Sequence, residues 1–118
     1  MLSEIAPAVA PRRRPRLPSD TLRRALLDLA DHKATITDHK ERSWASITFA
    51  GTRHEIALTF EGSEAVEAGE HFITHLPEHL FDIPGQLVAD AAILSVDHQL
   101  GAEQRMQVSI EVLLLEES

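Results

Sequence analysis

At 118 residues, with 43% hydrophobic and 25% charged side chains, the chain has the size and composition of one globular domain able to bury a core without disulfide or metal staples. It contains no cysteine, which excludes disulfides, thiol catalysis and zinc sites with sulfur ligands. The formal charge of −8 is unevenly divided: residues 1–18 hold Arg12, Arg13, Arg14 and Arg16 against Glu4, whereas seven Lys/Arg face eighteen Asp/Glu in residues 19–118.

That division argues against nucleic acid as a partner, because phosphate recognition needs a basic face on the folded body and this body is acidic. Residues 1–18 read as a disordered, solvated Pro/Arg tail, and 19–118 as a single domain. The mildly apolar first ten residues precede the basic run, the reverse of an export signal. The longest apolar stretches, near Leu87–Leu94 and Val112–Leu115, are too short for a bilayer, so the expectation is a soluble, cytoplasmic protein without a membrane partner. Aromatic residues amount to 4%, namely Trp44 and four Phe, and the core must come from Leu, Ile, Val and Ala.

In chain order, Pro18-Ser19-Asp20 signals a helix start with Ser19 or Asp20 as cap. Leu22, Ala25, Leu26, Leu29 and Ala30 then recur at helical spacing, so an amphipathic helix is predicted to end near His32. Residues 34–38 are β-prone and precede a polar turn at His39–Arg42. Alternation over Ser43–Ala50 and His54–Phe60, around Ala50-Gly51-Thr52-Arg53 as the turn, predicts a β-hairpin. Ser63 is placed as the cap of a second helix reaching about Leu76, with Val66, Gly69, Phe72, Ile73 and Leu76 as its apolar line. Leu87–His98, a turn at Gly101 and the alternating Met106–Leu114 form a second hairpin.

These elements predict an α+β two-layer sandwich: an antiparallel sheet of four to five strands with two helices on one face, in the order α-β-β-(β)-α-β-β. The other sheet face is expected to show Trp44, Ser46, Thr48, Ala57, Thr59, Gln107 and Ser109, plus one side of Leu87–His98. That side would offer either Leu87, Ala89, Ala91 and Ile93 or Val88, Ala92, Leu94 and Val96. A face so mild in so acidic a protein predicts a homodimer through it. The competing expectation is cover within the chain by residues 78–86.

At the segments SWASITFAGTRHEIALTFEG and FDIPGQLVADAAILSVDHQL the chain resembles small uncharacterised bacterial proteins of similar length, from about residue 20 to the C-terminus. The resemblance brings no activity, cofactor or catalytic residue with it.

Seven histidines supply the candidate chemistry. Glu67, His71 and His75 stand one turn apart on a predicted helix, and two histidines four apart can share a metal ion, with His79 and Asp82 as further ligands across Pro77. Their place opposite the apolar line makes a solvated polar face the plainer expectation. His54, Asp97 and His98 would meet at one sheet edge as a carboxylate–imidazole pair, although adjacent strand residues point to opposite faces. Asp90 interrupts a run that reads as buried, and a buried carboxylate needs a partner, for which Arg53 and Arg105 are the candidates. There is no GxGxxG, phosphate loop, GxSxG or HExxH, and no motif calls for a cofactor. The expectation is therefore a non-enzymatic dimeric module binding a protein or small ligand. The alternative is a small enzyme or metal-binding protein with a His/Asp site at the dimer seam.

Overall fold

A computed structural model describes residues 17–117. The arginine-rich tail lies outside the described residues, apart from Leu17 and Pro18. Helix α1 spans Pro18–Leu29, β1 Ala34–Ala45, β2 Ala50–Glu61, α2 Ser63–His75, β3 Gln86–Gln99 and β4 Arg105–Glu116, with a 3₁₀ turn at Leu76–Glu78. The four strands form one antiparallel sheet in the order β1-β2-β4-β3, so each hairpin keeps its own strands adjacent and the two hairpins join through β2 and β4. This is the predicted α+β order, with four strands.

Pro18 opens α1 at the first helical position, where its fixed φ is preorganised and its missing N–H is not needed. Ser19 and Asp20 therefore lie inside the first turn rather than at the cap, which is Leu17. The helix stops at Leu29, three residues before the expected His32, because Asp31 and His32 take left-handed backbone (φ 58° and 57°). At the start of α2, Gly62 is the cap at φ 96° and Ser63 the first helical residue. Only glycine takes that conformation without strain.

Leu22 and Leu26 of α1, Ala30 just after it, and Val66, Phe72 and Leu76 around α2 are buried against one side of the sheet. That side consists of Ile56, Leu58 and Phe60 from β2 and Met106, Val108, Ile110, Val112 and Leu114 from β4. Burial of each large apolar side chain contributes about 1.5–3 kcal/mol, so the two central strands carry most of the stabilisation. Gly69 lets α2 approach closely: a Cβ there would lie 2.8 Å from the Met106 sulfur and 3.1 Å from the Phe60 ring. Phe81 and Ile83, in the segment expected to cover the open face, pack into the helix-side core instead.

Two local differences decide what the sheet presents. The first hairpin turns at residues 46–49, four residues earlier than expected. Ser46 sets that turn: its hydroxyl accepts from the backbone N–H groups of Phe49 (3.0 Å) and Thr48 (3.3 Å), and its own N–H donates to Phe49 O (2.8 Å). This local bonding outweighs the Ala-Gly signal downstream. Residues 34–45 consequently form one long strand, and the expected polar turn at His39–Arg42 is strand. Second, the register of β3 shifts between Val88 and Asp90 and again between Ile93 and Ser95. Each irregularity inserts a residue and reverses which side the following residues face.

Candidate functional site

The sheet face opposite the helices can be read row by row from the pairing. One end row is Trp44–Gly51–Leu115–Leu87, and the next is Arg42–Arg53–Leu113–Asp90. Then come Lys40–Glu55–Glu111–Ala92 and Asp38–Ala57–Ser109–Ser95. The middle of this face is charged rather than mild. Arg53 donates to Glu111 at 2.9 Å and Arg42 to Glu55 at 2.7 Å, so the like-charged Arg42 and Arg53, directly opposite each other, are neutralised on the diagonals. Neither expected side of β3 occurs, because the bulges place Leu87, Asp90, Ala92, Ser95 and Asp97 together on the open face. Ser46 and Thr48 have left the face for the turn.

The apolar part of this face is confined to its end row and the adjoining turn. Leu113 and Leu115 are 8% and 6% exposed although they lie on the side away from the helices. Around them stand Phe49 (44% exposed), Leu87 (48%) and Ile47, which is fully exposed. A recess of about 640 Å³ is lined by Thr48, Phe49, Ala50, Leu87, Glu116 and Glu117.

On the helix side, the long β1 brings together three residues of which the sequence reading singled out only one. Glu41 pairs directly with His54, and His39, two residues before Glu41, shares its side of the strand. His39 Nε2 and His54 Nδ1 are 2.9 Å apart, and His39 Nε2 lies 4.0 Å from a Glu41 carboxylate oxygen. The His54 residue is 2% exposed and the His39 side chain 7%, while the Glu41 side chain remains half exposed at 51%. Burial lowers the pKa of both imidazoles below the ordinary histidine value. At His39, Arg23 adds to the lowering while Glu41 and Asp38 oppose it; at His54, Glu41 opposes and His39 adds. Among the described residues this is the one trio of potential ligand groups whose atoms all lie within 4.8 Å of one another. The turn at Ser46–Phe49 fixes the Glu41–His54 pairing; a turn at residues 50–53 would shift the register and leave neither His39 nor Glu41 beside His54.

The other candidates are dispersed. Asp90 is exposed rather than buried, because the bulge turns it to the open face, and Arg53 and Arg105 pair with Glu111 and Glu61 instead. Asp97 faces the same open side, away from His54. His98 pairs with Met106, while the β4 partner of His54 is Val112, six positions further along that strand. The two histidines are therefore about 20 Å apart along the sheet. His98 Nε2 is buried without a hydrogen-bond partner. His71 and His75 are exposed, their rings tilted by 31° with centroids 4.0 Å apart, and His75 Nδ1 donates to His71 O at 2.8 Å. His71 and Glu67 line a groove of about 1070 Å³ with Asp28, Lys33, His79 and Asp82, but their ligand atoms do not converge.

No helix among the described residues is long and apolar enough to cross a membrane. No protein-family model matches the chain, and no curated protein does. Among solved structures, it is similar to a chain in the virion of a native gene transfer agent particle, at 11% identity and a TM-score of 0.57, covering 83% of this chain and 91% of that one. The type 4 fimbrial biogenesis protein PilO from Pseudomonas aeruginosa aligns at 13% identity and a TM-score of 0.40, over 86% of this chain and 72% of that one. What the chain shares with the virion chain is its fold.

Proposed function

We propose that the chain is a non-catalytic binding module that self-associates as a twofold pair through the apolar end of its open sheet face. The observation that carries this reading is the clustering of Ile47, Phe49 and Leu87 beside the Trp44–Leu115 row. Single exposed apolar residues are ordinary, but a contiguous group at one end of a face otherwise laced with ion pairs is a contact surface. The group is suited to meeting its own copy. The protruding turn, with Ile47 at its tip, and the neighbouring recess beside Leu87 lie side by side, so each copy can offer a knob and a hole.

Pairing through the strand edges is the less favourable route. The β1 edge carries Asp38, Lys40, Glu41 and Arg42, and the β3 edge is broken by two bulges; both devices discourage edge-to-edge addition. A catalytic role for His54, Asp90, Asp97 and His98 finds no support in their placement, since they divide between two faces and opposite ends of the sheet.

Sedimentation velocity across the micromolar range tests the reading. The expected result is a dimer that Ile47→Asp combined with Phe49→Asp converts to monomer without loss of the folded far-UV spectrum. A wild-type monomer throughout that range would overturn it, as would a dimer indifferent to both substitutions.

A further inference from the structure

We propose that His39, Glu41 and His54 form a binding site for a divalent transition-metal ion on the helix-facing side of the first hairpin. This site is independent of self-association, because it lies on the other face of the sheet.

The donor set favours this class of ion. Two imidazoles and one carboxylate suit zinc, iron(II), cobalt, nickel or copper, whereas magnesium and calcium prefer oxygen donors throughout. The placement is set by strand pairing: all three residues occupy paired positions of one hairpin, and the Glu41–His54 pairing holds the carboxylate and one imidazole side by side. The distances fit with little movement. Two nitrogens on one tetrahedral ion, each at about 2.0–2.1 Å, stand about 3.3 Å apart, so opening the 2.9 Å separation by about 0.4 Å would admit the ion. Glu41 Oε2, at 4.0 Å from His39 Nε2, comes into range by rotation of a half-exposed side chain.

A plain imidazole–imidazole hydrogen bond also satisfies the two facing nitrogens, but it leaves Glu41 unexplained. Among the described residues, the basic group within 4.0 Å of the Glu41 carboxylate is the His39 imidazole, whose Nε2 already faces His54 Nδ1. A carboxylate beside two converging nitrogens, with no lysine or arginine on it, is the arrangement that a cation completes. Three protein ligands leave at least one coordination position for water or a small exogenous ligand, which distinguishes this site from a closed four-ligand structural one.

The test uses tag-free full-length chain stripped of metal, titrated with cobalt(II) by visible absorption and with zinc(II) by calorimetry. Expected are one ion per chain and cobalt bands of low-symmetry nitrogen–oxygen coordination. His54→Asn and His39→Asn should each weaken binding by about tenfold or more, with Glu41→Gln, which leaves the buried pair intact, acting in the same direction. The doubly substituted His71→Ala, His75→Ala chain should bind as the wild type. Absence of binding by the folded wild type overturns the proposal. So does binding that survives Glu41→Gln and His54→Asn unchanged, or that disappears only with His71 and His75, which would place the ion on the exposed helix pair.

Discussion

His39 Nε2 and His54 Nδ1 face each other at 2.9 Å across the first two strands, so one ring donates a proton that the other accepts. The bond needs at least one neutral ring, and its tautomers are coupled: whichever nitrogen carries the hydrogen dictates which nitrogen of the other ring must be bare. Doubly protonated, the pair would lose the hydrogen bond and set two positive charges side by side in a largely buried space.

Stability of the metal-free protein is therefore expected to fall as the solution is acidified through the histidine range. Burial, the largest cause, places both folded-state pKa values below the unfolded value of 6.5. Between those limits the unfolded chain binds more protons than the folded one, so unfolding is favoured as pH drops and stability rises with pH. The contribution is fully present above about pH 6.5 and is lost progressively below it. Glu41 and Asp38 on β1 moderate the loss, and Arg23 on α1 sharpens it at His39. Urea unfolding with chelator present, from about pH 8 to about pH 5.5, measures this. His54→Asn should flatten the profile in that interval; a wild-type profile already flat, or rising toward acid, would contradict the assignment.

Thr59 makes a prediction of opposite sign to most substitutions of buried residues. It is 6% exposed on the open face and its hydroxyl has no hydrogen-bond partner. A buried unmatched hydroxyl costs about 1–3 kcal/mol, and valine has the same shape without that cost, besides a strong preference for strands. Thr59→Val is expected to raise stability by about 1 kcal/mol, read as a higher urea midpoint at unchanged slope. Thr59→Ser, which keeps the hydroxyl and loses the methyl, should destabilise by about 1 kcal/mol. A valine variant less stable than the wild type would mean that the hydroxyl is bonded in solution.

Sequence periodicity sufficed for the architecture because the central strands obey it. Ile56, Leu58 and Phe60, and Met106 through Leu114, alternate without interruption, and their helix-side faces are buried as that alternation requires. The edge strands break the same rule. A single inserted residue in β1, and two in β3, reverse the phase, so Asp90, which reads as buried from its neighbours, emerges on the open face. Bulges depend on the pairing partner as well as on the bulged strand, and composition alone does not announce them. The His39–Glu41–His54 group was hidden for a related reason. Its members converge only when the hairpin turns at Ser46–Phe49, and a serine-set turn without glycine gives a weaker signal than the Ala-Gly pair four residues on.

Gly51 shows what that Ala-Gly pair is for. The glycine is strand rather than turn, paired with Trp44 on one side and Leu115 on the other. Its backbone lies close to β4: a Cβ there would lie 2.0 Å from the carbonyl oxygen of Leu114 and 3.0 Å from Cα of Leu115. Those are main-chain atoms in a central strand, so no side-chain rotation relieves the clash, and β2 and β4 would have to separate locally. Alanine ordinarily gains about 0.5–1 kcal/mol over glycine in a regular element, through the lower entropy of its unfolded chain. Overpacking costs about 1–3 kcal/mol even where side chains can shift, and a rigid backbone neighbour puts this site at or above the top of that range. Gly51→Ala is accordingly expected to destabilise by about 2–3 kcal/mol net, measured by urea unfolding. Because Gly51 stands between Trp44 and Leu115 in one row of the open face, the same variant should also weaken the dimer in sedimentation. An alanine variant as stable as the wild type would show that β2 and β4 are not so close at Gly51, and would remove the reason for glycine at this position.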